Sequence, residues 1–599
     1  MTKQLLMGNE AIARGAIEAG LNLATAYPGT PSSEIVGTLA KWSGYFNYYV
    51  EWSVNEKVAL EIAAGAAYAG ARSLVAMKQV GLNVASDPLM SLAYIGVKGA
   101  MVVVVADDPG PHSSQTEQDT RLFAKFAKLP LFDPATPEEA LEMTKAAFEL
   151  SHRYGIPVLL RPTTRVCHAT AGIEFSEPLT WQPGGFKKDP RWVIFPRLSY
   201  QRHQWLEEQH RNLATEFSRN PWNRIEKGGR FGIAASGVAY LYAKEAAAGV
   251  GIDPTILKVG NAHPLPVTKL QEFLSQVDQV IVCEELDPVV EEGLRYYAGQ
   301  TGFQGRIAGK ISGELPYAGE YSVDLLKQAI AKLLEVDLTP AIPVATTDIT
   351  APELPARAPV FCAGCPHRAS FYAVKQATRG LNAVYTGDIG CYTLGNAAPL
   401  EMVDTCLCMG AGLTVAQGLA KIEPERPVFA FIGDSTFFHS GITGVINAVF
   451  NRHPIKIILL DNNTTAMTGH QPHPGMGKTA CGEATTPIDA AALLRACGVP
   501  LVEVVNPLDL KQAEAAVKKA LEQPGVAAVI MKAPCVAQTK AQRRFTIDPS
   551  KCTNCRRCVR ELGCPAFTVA EKPQITVSCF GCGLCSQICP VKAIREVKS

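Results

Sequence analysis

Eight of the chain's 18 cysteines fall in its last fifty residues, in two runs that each end in Cys-Pro. The first is Cys552-x2-Cys555-x2-Cys558-x5-Cys564-Pro565; the second is Cys579-x2-Cys582-x2-Cys585-x3-Cys589-Pro590. Three thiolates at x2 spacing with a fourth further on are iron–sulfur ligands, and paired clusters move single electrons. A zinc ribbon uses two separated pairs, and a third cysteine at the same spacing, twice over, does not fit it. A disulfide framework suits small secreted domains, whereas Met1–Ala26 carries no charged-then-apolar leader pattern. No apolar stretch reaches the ~18 residues of a membrane span. The expectation is a reducing, cytoplasmic setting with no membrane segment.

The second run has the bacterial ferredoxin spacing throughout, and the first departs from it only in x5 where x3 is usual. That likeness implies a ferredoxin-like tail over residues 541–599 with two 4Fe-4S clusters that exchange their fourth ligand. Cys552, Cys555, Cys558 and Cys589 would hold one, and Cys579, Cys582, Cys585 and Cys564 the other. The tail has ten Lys or Arg against four Asp or Glu, an excess that offsets the thiolate charge of the clusters and could steer an acidic electron carrier. The whole chain, at net +1, has no charge signature for nucleic acid or membrane.

Electrons need a source, and a second constellation offers one. Gly433-Asp434-Ser435 follows the apolar run Val428–Ile432, and Asp461-Asn462-Asn463 follows Ile455–Leu460, with a helical pattern between them. In parallel sheets ligands bind beyond the carboxyl ends of the strands. An Asp and an Asn there are hard oxygen donors suited to Mg2+ on a diphosphate. The pattern resembles the thiamine diphosphate motif, with Ser435 replacing its last glycine. The likeness implies Mg2+ ligation by Asp434, Asn462 and the backbone carbonyl of Thr464, with Gly433 and Ser435 beside the diphosphate. Met409 and Gly410, opening a Gly-rich helix, would pack against the thiamine.

Thiamine also needs a carboxylate at its pyrimidine ring. The N-terminal region offers Tyr27-Pro28-Gly29-Thr30-Pro31-Ser32-Ser33, and Glu56 on an Ala-rich helix. These motifs resemble the 2-oxoacid:ferredoxin oxidoreductase superfamily. The resemblance implies that Tyr27, Pro28, Gly29 and Thr30 line the cofactor and that Glu56 activates it. Ser53-x-x-Glu56 is also a capping box, with Glu56 the favoured carboxylate and Glu61 the fallback. Thr30-Pro31 fits a helix start, with Thr as N-cap and Pro at the first position. Thr30 and Ser32 would then either bind a substrate carboxylate or simply cap. His112, in the loop 109–119, resembles the family's active-site loop. Cys362, Cys365, Cys391 and Cys535 stand where relatives hold a third, proximal cluster, while Cys167, Cys283, Cys481 and Cys497 read as structural.

These groups must be positioned by 599 residues, room for about four domains of ~150. Alternating helix and strand patterns give parallel α/β sheets. The expected order is a pyrimidine-binding domain (1–175), a linker (176–227) and a transketolase C-terminal-like domain (228–337). A second linker (338–358), a diphosphate-binding domain (359–540) and the ferredoxin-like domain (541–599) follow. That order resembles the α subunits of the superfamily's indolepyruvate branch. It implies oxidative decarboxylation of aryl 2-oxo acids, with coenzyme A taking the acyl group and ferredoxin the electrons. It also implies a smaller β subunit, supplying a γ-type domain in trans within a heterotetramer of two α and two β. The rival readings are an aliphatic 2-oxo acid substrate, a non-redox thiamine decarboxylase or lyase, and an electron-transfer protein on inert α/β scaffolds.

Overall fold

Ala100–Ala106 (AMVVVVA) forms a strand with all seven residues buried, as a β-branched run covered on both faces must. It belongs to a six-stranded parallel sheet in the order 49–52, 23–26, 72–78, 100–106, 158–160, 131–132. In this computed structural model residues 3–338, 354, 357–541 and 543–597 are described. The chain divides into two units, Met1–Thr350 and Ala351–Ser599.

The first unit holds a second sheet, ordered 306–308, 279–283, 229–236, 254–259, 223–226, parallel except for its last strand. That strand, Asn223–Glu226, lies inside the stretch expected to be a linker. The 22-residue helix Pro196–Phe217, also in that stretch, buries Leu206, Leu213 and Phe217 in the core of the first sheet. A helix over 201–219 is expected inside that linker and forms; polar composition hid the strand and, with only three of its residues buried, the helix's place in the core. The second expected linker, 338–358, lies almost wholly outside the described residues. A buried charge network joins the two sheets. Arg121 pairs with Asp119 and with Glu284, both at 2.6 Å, and Arg161 pairs with Asp107 at 2.6 Å. Burial still pushes Asp107 up to about 6.

The second unit repeats the winding of the first sheet. Its six parallel strands run 405–406, 384–387, 428–433, 455–461, 527–532, 501–505. In both sheets the chain order is 2-1-3-4-6-5, so the winding reverses between the first and third strands. That switch point is where a doubly wound sheet opens a crevice for ligand. In the N-terminal sheet Tyr27 and Lys78 stand at or just past the crevice edge; in the other, Asp388 and Asp434 do.

The C-terminal segment contains two antiparallel ribbons, Arg544–Ile547 with Ile594–Val597 and Phe567–Val569 with Pro573–Ile575. Two short helices, Arg557–Arg560 and Leu584–Ile588, carry Cys558 and Cys585. The second helix runs straight into Cys589. The first is followed by Glu561, buried Leu562 and Gly563, which absorb the two extra residues of the x5 spacing. Cys167 and Cys283 are fully buried, as a structural role requires, but Cys481 is exposed. Among the described residues no helix is long and apolar enough to cross a membrane.

Candidate active site

Asp434 is the first residue after strand Val428–Gly433 and opens a helix that passes through a π-turn at Phe437–Gly441 before continuing to Phe450. Such turns recur at functional sites. The Asp434 carboxylate is buried and held from three directions. It accepts from the Ser435 amide at 2.8 Å, the Asn462 amide at 3.1 Å and His473 Nε2 at 3.1 Å. His473 Nδ1 accepts from the Gly475 amide, so Nε2 carries the proton toward Asp434. Asn462, also buried, accepts at Oδ1 from the Thr464 amide (3.1 Å) and faces His367 Nε2 (3.4 Å) through Nδ2. Burial and the nearby Asp434 charge together raise Asp461.

A carboxylate, an amide and the main chain of a buried Thr464 thus stand at one strand edge, in surplus negative charge. That donor set fits a hard divalent cation holding a diphosphate. Gly410 forms the other wall. Its amide donates to Asp388 at 2.8 Å, its φ is +83°, and an added Cβ would lie 2.3 Å from Ser440 Oγ. Ser440 Oγ in turn donates to the Met409 carbonyl. Burial raises Asp388 to about 7, opposed by hydrogen bonds from Tyr392 and the Gly410 amide. Ser435 Oγ accepts from Thr465.

Cys362 lies within electrostatic reach of Cys365, Cys391 and Cys535, and Cys391 and Cys535 within reach of Asp434. Burial raises Cys391 to about 11, and Cys535 and Cys362 add to it; burial raises Cys365 to about 12, with Cys362 again contributing. Cys535 feels both Cys362 and Asp434. In the tail, one hollow is lined by Cys552, Cys555, Cys558 and Cys589, and another by Cys564, Cys579, Cys582 and Cys585. These are the two interleaved sets expected from the spacing. The hollows span about 340 and 470 Å³, open solvent at their mouths included. Among the described residues no three His, Cys, Asp or Glu converge as they would on a single ion.

In the first unit Glu56 opens helix Glu56–Tyr68, but the N-cap is Asn55, whose side chain accepts from Val58. Ser53 instead donates to Glu51, so the capping box expected from Ser53-x-x-Glu56 is not formed. Glu56 turns over Gly81, where an added Cβ would sit 2.7 Å from its Oε1. The expected helix start at Thr30-Pro31 is also corrected. The helix is Ser33–Trp42 with Ser32 at the N-cap, and the Thr30–Pro31 bond is cis. Ser32 Oγ donates to the Gly29 carbonyl and Ser33 Oγ accepts from the Gly29 amide. The two serines therefore brace the buried Tyr27-Pro28-Gly29 turn.

The loop 109–119 closes over this turn. Ser113 donates to the Thr30 carbonyl, and Lys78 Nζ donates to the Ser113 carbonyl, each at 3.0 Å. His112 is turned to Glu320 at 3.3 Å, which Arg165 also grips. Burial lowers the Lys78 ammonium, while Asp108 and Glu56 hold it up. The structure thus gathers Tyr27–Thr30, Glu56 and the 113 region, and adds Lys78, which went unnoticed although it is the charged end of a buried strand. His367 and His473 were missed likewise, in the strings Cys365-Pro366-His367-Arg368 and His473-Pro474-Gly475-Met476-Gly477.

Residues 14–180 match the family model "Pyruvate flavodoxin/ferredoxin oxidoreductase, thiamine diP-bdg", and residues 388–531 match "Thiamine pyrophosphate enzyme, C-terminal TPP binding domain". The indolepyruvate oxidoreductase subunit IorA of Methanothermobacter thermautotrophicus is 43% identical, over 99% of this chain and 97% of its own. That of Archaeoglobus fulgidus is 42% identical over 100% and 98%, and that of Pyrococcus horikoshii 40% over 100% and 97%. The chain belongs to the indolepyruvate oxidoreductase subunit IorA family. Membership makes it a 2-oxo acid oxidoreductase that works with thiamine diphosphate. The two matched segments carry the first like-wound sheet and, apart from strand Val384–Gly387, most of the second, with Glu56 in one and Asp434 in the other.

Proposed function

We propose that the chain, with a smaller β subunit in a cytoplasmic α2β2 assembly, oxidatively decarboxylates aryl 2-oxo acids of the indolepyruvate type. The balance is 2-oxo acid plus coenzyme A giving acyl-CoA, CO2, one proton and two electrons, which leave singly through 4Fe-4S clusters to ferredoxin. The reading of the substrate is supported by near-full-length likeness to relatives named for indolepyruvate. The redox reading rests on one observation: the amide of Cys535 donates to the carbonyl of Asn462 at 2.9 Å. The candidate cluster ligand and the candidate diphosphate ligand share a hydrogen bond, so electrons released at the cofactor have thiolates at hand.

Thiamine diphosphate, when bound, supplies the nucleophilic carbon and the electron sink for decarboxylation. Asp434, Asn462 and the Thr464 carbonyl would hold its diphosphate through Mg2+, and His473 fixes the Asp434 carboxylate. Glu56 takes the role of the carboxylate at the pyrimidine nitrogen, where it assists proton removal from the reactive carbon. Cys362, Cys365, Cys391 and Cys535 would hold the cluster nearest the thiamine, and Cys564, Cys579, Cys582 and Cys585, with Cys552, Cys555, Cys558 and Cys589, would hold two more, which when bound would supply a one-electron path outward. The test is product analysis under anaerobic conditions with the complex, indolepyruvate, coenzyme A and oxidised ferredoxin. Indoleacetyl-CoA with two ferredoxins reduced per turnover is expected. Free aldehyde formed without ferredoxin reduction would favour the lyase.

A further inference from the structure

The run Cys365-Pro366-His367-Arg368 contains a residue that the diphosphate chemistry leaves unexplained. Arg368 lies in the first turn of helix Pro366–Ala377 and is 3% exposed. Its side chain lines the hollow formed by Cys564, Cys579, Cys582 and Cys585, whose wall contains no Asp or Glu. Nη2 donates to the carbonyls of Phe361 (2.8 Å) and Gly563 (3.3 Å). Those carbonyls immediately precede Cys362 and Cys564. One nitrogen therefore ties the backbone before a ligand of the candidate proximal set to the backbone before the exchanged ligand of the tail set. Nε and Nη1 are buried with no hydrogen-bond partner.

A buried guanidinium with two idle donors is unfavourable unless an anion meets it. A cluster held by four thiolates is such an anion, and it gains one more negative charge on reduction. We infer that Arg368 donates through Nε and Nη1 to the cluster held by Cys564, Cys579, Cys582 and Cys585, and so raises its reduction potential. Net charge and hydrogen bonds to sulfur are the levers that set such potentials. The guanidinium charge also reaches Cys365 and Cys582, opposing the upward push of burial on both thiols. Arg368 is thus a tuning residue on the electron path, placed between two candidate clusters. This rests on the iron–sulfur reading above.

The test is a potentiometric titration followed by electron paramagnetic resonance, on the whole anaerobically purified complex, with iron and sulfide content measured alongside. Arg368→Met should keep its iron while the one-electron reduction constant of one cluster falls roughly tenfold, about 59 mV. Arg368→Lys, which keeps the charge, should stay within about threefold of wild type. Thiamine diphosphate binding should be unchanged in both. Full iron content with a superimposable Arg368→Met titration overturns the inference. If Arg368→Met loses the cluster, Arg368→Gln is titrated instead, and an unshifted potential there overturns it equally. A wild-type complex with no iron–sulfur signal on reduction overturns the cluster reading itself, and the inference with it.

Discussion

The main-chain N–H of Cys535 and the carbonyl oxygen of Asn462 are hydrogen-bonded at 2.9 Å. Through that bond the segment following strand Ala527–Lys532 is locked to the loop following strand Ile455–Asp461. Changing the Cys535 side chain leaves the bond intact. Cys535→Ser should therefore bind thiamine diphosphate normally yet lose about four iron atoms per chain. Viologen reduction by substrate should fall at least ~100-fold, while slow decarboxylation persists. Iron analysis beside calorimetric cofactor binding separates the two effects.

His473 Nε2 is hydrogen-bonded to Asp434 Oδ2 at 3.1 Å. Partners that orient a metal ligand are worth about 10–100-fold in metal affinity. His473→Ala should weaken Mg2+ affinity by roughly that factor, and Asp434→Ala should abolish Mg2+-dependent thiamine diphosphate binding. Calorimetry with Mg2+ and thiamine diphosphate reads both without any turnover.

Glu56 lies against Gly81, and its helix is capped by Asn55, so removing its charge spares the helix end. Glu56→Gln should bind cofactor but lose about 10²–10⁴-fold in turnover, the usual worth of a positioned proton-transfer group. Gly81→Ala should displace the carboxylate and depress activity in the same direction, whereas Glu61→Gln should be nearly silent.

His263 is buried against His210, with Nε2 to Nε2 at 3.2 Å. Burial lowers its pKa to about 3, and His210, Lys125 and Lys128 push the same way. In the unfolded chain the imidazole titrates near 6.5. Above that pH both states are neutral and nothing is gained or lost. Below it the unfolded chain takes up a proton that the folded one refuses, so stability falls as pH drops. From pH 7.5 to 5.5 this group alone should cost about 1.4 kcal/mol. Urea unfolding of wild type and His263→Asn at both pH values checks it; the variant should lose that part of the dependence.

The sequence made the parallel sheets legible because their strands are runs such as AMVVVVA, whose pattern survives any context. Strand Asn223–Glu226 was not legible: it is polar, short and antiparallel at an edge, and only its pairing to Pro254–Val259 makes it a strand. The ferredoxin likeness of the two cysteine runs implied the interleaved sets, and each set lines one hollow. Asp434 and Asn462 were readable because strand ends present them. His367, His473, Lys78 and Arg368 were not, since each matters through a neighbour brought close only by folding. The Ser53 and Thr30 caps failed for a related reason. Local capping patterns are common, and here Asn55 and Ser32 stand at the N-cap positions.

The most direct test of the central claim is anaerobic viologen reduction by the chain co-purified with its partner, given thiamine diphosphate, Mg2+ and coenzyme A. Indolepyruvate, phenylpyruvate, pyruvate and 2-oxoglutarate would be compared. Coenzyme A-dependent reduction, fastest with the two aryl acids, is the expected result. No reduction with any of the four, in protein shown to carry clusters and thiamine diphosphate, would contradict it.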